Sequence, residues 1–163
     1  MATFTASKIT NKKYYPVATP HSSREIYTVT DKVAVTNALA LNGLIKLAIL
    51  PPNCLPDDIL IYSTDIDSAT SIVLDVGVLN DDEDDLVASS LLIDGSTIGQ
   101  GGGVARMDDY EAVFEPATWL AETDCPDLHE EKIIAAKVVT AAGTPVAGTI
   151  YVRFRYRSAE GGI

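Results

Sequence analysis

The chain has 163 residues, and 47% of them are apolar, so a packed core can form and global disorder is excluded. Lys and Arg total 12 against 23 Asp and Glu, leaving a net charge of −11 that repels phosphate and argues against a nucleic-acid partner. Two cysteines and two histidines are too few for a disulfide scaffold or for most zinc frameworks.

Residues 1–24 carry Lys8, Lys12, Lys13 and Arg24 and no acid, whereas residues 25–163 hold the other eight bases and all 23 acids, a charge of −15. The first segment is rich in Thr and Ser, contains Pro16 and Pro20, and lacks the apolar run of a secretory signal. This composition predicts an extended basic N-terminal arm over 1–24, followed by one domain over 25–163. Tyr14 and Tyr15 are amphipathic rings able to anchor the arm to a partner.

Beyond the arm, strand patterns dominate. Residues 25–30 read as a strand whose alternation continues through Val33 and Val35. Asn42-Gly43 marks a turn before the nearly continuous apolar strand 44–50, which Pro51-Pro52 ends. A strand over 59–63, a polar turn over 65–71 and a strand over 72–79 follow. The run 80–85 is acidic, and the apolar spacing over 86–93 behind it predicts a short helix. The glycines of 99–103 predict a loop. Residues 104–132 read as irregular and acidic, with a short strand at 112–114 and Trp119 as a packing anchor. A hairpin closes the chain: 132–140, a turn, then a return strand from Gly148 to Arg157. That strand sets Ile150, Val152, Phe154 and Tyr156 against Tyr151, Arg153, Arg155 and Arg157 on its other face. The predicted fold is mainly β, an antiparallel sandwich with one short helix and the extended arm.

No constellation of chemistry completes itself. Counted from Asp81, the sixth and twelfth positions of a calcium loop are Leu86 and Leu92, so the acidic run is a solvated loop. Gly99 to Gly103 lacks the Lys-Ser/Thr of a phosphate loop, and Ser96 sits one place too early for a nucleophile elbow. Cys125 and His129 offer too few soft ligands for a zinc site. No catalytic residue, metal or cofactor is expected. Arg153, Arg155 and Arg157 form a cationic stripe that either pairs with acids on a neighbouring strand or docks on an acidic partner.

Several stretches, taken in order, resemble small virion proteins of tailed double-stranded DNA bacteriophages. They are 38–51, Asp65-Ile66-Asp67, 74–78, 93–102 and 148–156. The chain is similar to head decoration (cement) or minor capsid proteins, typically β-sandwich or jelly-roll modules. The resemblance implies a non-enzymatic structural protein, made in the host cytoplasm and placed on the capsid surface. There it would bind the major capsid protein as a homo-oligomer, a trimer by preference, and bridge neighbouring subunits, with no membrane or nucleic-acid partner. The expected partner-binding residues are Lys8, Lys12, Lys13, Tyr14, Tyr15, Arg153, Arg155 and Arg157. A neck or tail component shares the same pattern. A surface module binding carbohydrate or calcium through Trp119 and the loop 81–85 is the alternative of another class.

Overall fold

In the computed structural model the described residues are 2–10, 25–108, 113 and 129–159. Nine strands and one helical turn are found among them. They are β1 (Thr3–Thr5), α1 (Ser7–Thr10), β2 (Ile26–Val35), β3 (Leu44–Leu50), β4 (Cys54–Ser63), β5 (Val73–Leu79), β6 (Leu86–Ser96), β7 (Gly103–Arg106), β8 (Lys132–Thr140) and β9 (Gly148–Ser158).

The strands form two sheets, ordered β1-β3-β8-β5-β6 and β2-β9-β4-β7. Their pairing is nested. β5 pairs with β6, β4 with β7, β3 with β8 and β2 with β9, all antiparallel. The chain from β2 to β9 is thus one long hairpin with its tip at 80–85, rolled so that β4 also meets β9 and β5 also meets β8. That is the jelly-roll arrangement of eight strands in a double sheet.

The core lies between the sheets. Ile45, Leu47, Leu74, Val76, Val78, Ile134, Ala136 and Val138 come from one sheet, and Val33, Val35, Ile59, Ile61, Ile150, Val152, Phe154 and Tyr156 from the other. β9 follows the expected alternation, with Phe154 and Tyr156 wholly buried while Arg153 faces outward. The Tyr156 ring stacks on Tyr27 at 6.1 Å. A smaller cluster of Leu44, Leu79 and Ala135 lies apart from this core, with Leu86 and Ile133 packed against it.

Three features differ from the sequence expectation. The helix expected over 86–93 is strand β6. Its pairing with β5 slips at three points: Leu74 faces Ser96, Val76 faces Ile93, Gly77 faces Leu91 and Leu79 faces Leu86. The extra residues on β6 break the two-residue alternation and leave an apolar spacing that imitates a helical one. The preceding acids do not cap a helix; instead Asn80 Oδ1 accepts the amides of Asp84 and Asp85 and closes a tight loop. β7 occupies residues read as irregular, being too short to display a period. The short helix lies in the first ten residues, where β1 runs parallel to β3 and Ala6 is fully buried. The strand expected at 112–114, apart from Val113, and Trp119 lie outside the described residues.

Candidate docking face

β9 runs between β2 and β4, so its outward side chains form the middle of the outer face of the β2-β9-β4-β7 sheet. Register places Val104, Tyr62, Tyr151 and Lys32 in one row across the sheet. The next row holds Arg106, Leu60, Arg153 and Thr30, then comes Asp58 with Arg155 and Thr28, and finally Arg157 opposite Ile26. Among the described residues six large hydrophobic side chains are exposed, and four of them, Ile26, Tyr62, Val104 and Tyr151, stand on this face, one from each strand. The coincidence of exposed aromatic rings and arginines is the composition of interface cores, not of ordinary solvated surface.

The arginines differ in how far they are already engaged. Arg155 pairs with Asp57 at 3.1 Å, and Arg106 with the buried Asp58 at 3.0 Å. Arg157 donates to the carbonyl of Val113 at 3.2 Å. Arg153 has no acidic partner among the described residues, and it stands between two shallow depressions. One, of about 340 Å³, is walled by Ile26, Thr28 and Arg155; the other, of about 250 Å³, by Leu60, Tyr62 and Tyr151. The rings of Tyr62 and Tyr151 meet at 5.8 Å, which fixes both as a platform beside the guanidinium. The stripe read from the sequence is therefore partly paired and partly open.

Lys8 sits at the border of the same sheet. The carboxylate of Asp31 on β2 accepts the Ser7 hydroxyl at 2.9 Å and the Lys8 amide at 2.7 Å, while the Lys8 ammonium donates to the Thr30 carbonyl. Thr30 is the register neighbour of Arg153. Lys12, Lys13, Tyr14 and Tyr15 lie outside the described residues. Tyr62, Leu60, Val104, Arg106 and Lys32 were not singled out in the sequence. The alternation over 59–63 does place Leu60 and Tyr62 on one side, but only the pairing with β9 brings them beside the arginines.

The opposite sheet carries the other sign. The acidic loop 80–85 folds toward lysines on that sheet, Lys46 binding Glu83 and Lys137 binding Asp85. Burial works against ionisation of Asp85, but the Lys137 ammonium and the Leu86 amide outweigh it and hold the carboxyl below its ordinary value. Among the described residues no group of three His, Cys, Asp or Glu side chains is set to hold a metal ion.

Two further polar groups, Asp67 and Cys54, are buried in the fold. Asp67 is wholly buried and accepts the amides of Ala69, Ser71, Ile72, Gly143 and Thr144, plus the Ser71 hydroxyl. Cys54 is buried, and loss of water pushes its thiol up to about 11 despite the nearby Lys132, so it is a poor nucleophile. His129 Nδ1 lies 2.6 Å from Asn53 Oδ1, and Cys125 lies outside the described residues.

The architecture is a jelly-roll sandwich with a basic, aromatic face on one sheet. No protein-family model matches the sequence, and no curated protein matches it. Solved structures do match. A chain from the capsid of Ralstonia phage GP4 shares the fold with a TM-score of 0.67 at 24% identity, over 89% of this chain and 92% of that one. A chain from the capsid asymmetric unit of cyanophage Pam1 does so with a TM-score of 0.53 at 19% identity, over 87% and 92%. Most of each chain corresponds, and at these identities what they share is the fold.

Proposed function

We propose that this protein is a non-enzymatic structural component of a bacteriophage particle, bound to the exterior of the assembled capsid, where it bridges neighbouring subunits. The observation that carries this reading is the likeness in fold, over 89% of this chain, to a chain of a phage capsid. The docking face supports it, because exposed tyrosines flanked by arginines suit a protein surface. On this reading Lys8, Lys12, Lys13, Tyr14 and Tyr15 grip the major capsid protein. Arg153, Arg155 and Arg157 meet an acidic neighbour in the particle.

Such a protein acts by mass action. It binds the closed shell and not dispersed subunits, so each bound copy shifts the equilibrium toward the intact shell. Individually weak contacts suffice when several are linked, since tethering raises the effective concentration of each. The acidic remainder of the surface keeps free copies soluble. The experiment is quantitative rebinding to shells stripped of the protein, followed by electron microscopy. The chain with Lys12, Lys13, Tyr14 and Tyr15 all replaced by Ala is expected to fold and to leave the shells largely bare. Full occupancy by that variant would remove the arm from the account, and absence of the native protein from purified particles would end the proposal.

A further inference from the structure

We infer that the neighbour seated on the basic, aromatic sheet face is a second copy of this same chain, presenting the acidic tip of its own β5–β6 hairpin. This rests on the reading of the protein as a bridging component and names the partner of that face.

The two surfaces are complementary in build as well as sign. The tip region has a depression of about 100 Å³ with an apolar floor of Leu79 and Ile133 and an acidic rim that includes Asp81, Glu83 and Glu130. The sheet face has an apolar floor of Leu60, Tyr62 and Tyr151 with Arg153 at its rim, and Asp31, which also lines it, has its carboxylate engaged by the Ser7 hydroxyl and the Lys8 amide. Within one copy the two cannot meet, because they belong to opposite sheets of the sandwich. Glu83 is held by Lys46, but Asp81 and Asp82 are exposed and have no cationic partner among the described residues, as Arg153 has no anionic one. Each copy thus offers unspent charge of both signs on opposite sides. A contact between unlike surfaces is head to tail, and it builds a ring where the rotation closes and a row where it does not. The net charge of −11 holds dispersed copies apart, so the contact forms where copies are concentrated, as on a shell.

The test uses the free full-length protein near its solubility limit, with no particles present, and reads self-association by sedimentation velocity. The native chain is expected to associate. Lys32→Glu/Arg153→Glu, which reverses the face, and Asp81→Lys/Asp82→Lys, which reverses the tip, should each weaken association by roughly tenfold or more. Mixed together, the two variants should co-assemble in equal proportion with copies alternating, because the reversed face of one fits the reversed tip of the other and the native face of the second fits the native tip of the first. The milder Lys32→Gln/Arg153→Gln should weaken association less, and circular dichroism shows whether each variant is folded. A native chain that stays monomeric, reversals that associate like the native chain, or a mixture that yields no complex would each overturn the inference. Binding to shells is measured separately, so loss of shell binding with intact self-association counts against the functional reading alone.

Discussion

Asp67 shows how one carboxylate substitutes for secondary structure. Residues 64–72 and 141–147 are connections at the same end of the sandwich, and each has backbone amides that no strand satisfies. Asp67 Oδ1 takes Ala69 and Thr144, and Oδ2 takes Ser71 and Ile72, at 2.7 to 3.1 Å. Gly148 lets the two segments approach, since a Cβ there would lie 2.8 Å from the carbonyl oxygen of Asp65. Burial raises the cost of charging Asp67, but the amides of Thr144, Ser71, Ile72 and Ala69 together prevail, and its carboxyl titrates far below the usual range. The folded value is depressed, so the stabilisation is fully present above the unfolded value of about 3.9 and fades as pH falls through the folded one. Asp67→Asn keeps the shape but loses the charge and turns one acceptor into a donor facing amides. Its melting temperature at neutral pH should fall by roughly 5 °C or more. The gap between variant and native protein should narrow as pH drops from about 4 toward 2, and thermal melts across that range would check both statements.

Element by element, what the sequence disclosed follows from how regular each strand is. β3 is legible from its nearly continuous apolar run between Asn42-Gly43 and Pro51-Pro52, in spite of a register slip against β8 between Lys46 and Ala48, and β9 from a strict two-residue alternation from Ile150 to Tyr156. β4 was read only from Ile59, since Pro56 and the register slip between Pro56 and Asp58 hide its first half. β6 was misread because its slips against β5 scramble the period. The docking face was half visible: the arginines of β9 appear in the sequence, but their companions on β4 and β7 are adjacent only through cross-strand register. β1 and α1 left no signal at all, because three residues of strand and four of helix carry no periodicity. Yet Phe4, Ala6 and Ile9 pack on the core, the Ala6 amide bonds the Lys46 carbonyl at 2.9 Å, and the Leu44 amide reaches the Ala2 carbonyl at 3.2 Å. Ala6→Asp would place a carboxylate where no space or partner exists, a loss of about 2–4 kcal/mol if the segment stayed docked. Residues 2–10 can instead undock as a local unit, which caps the loss at the free energy of docking. Hydrogen exchange should then show the Leu44 amide losing protection by about tenfold or more, with the amides at the centre of β9 unchanged. Loss of protection in β9 as well would mean that the segment is part of the cooperative core.

Across the whole molecule, charge and apolar surface are sorted by layer. The outer face of one sheet joins arginines to exposed rings, the hairpin tip on the other sheet is acidic, and the interior holds the aliphatic mass. These layers respond to different conditions. Core burial is indifferent to simple salt, whereas a contact between exposed opposite charges weakens as the screening length falls from about 10 Å at 0.1 M to about 3 Å at 1 M. On the proposed reading, where the copy-to-copy contact at Arg153 adds to each copy's hold on the particle, a high-salt wash should therefore release the protein while leaving its own fold intact. Two measurements check this: the fraction retained on particles after washing at rising sodium chloride, and the melting temperature of the free protein in the same buffers. Release is expected at salt concentrations where the melting temperature has not fallen. The rings of Tyr62 and Tyr151 oppose this release, because apolar contact survives screening, and Tyr62→Ala/Tyr151→Ala should shift the release point to lower salt. Retention at the highest salt by both native and tyrosine-truncated protein would assign attachment to surfaces other than this face.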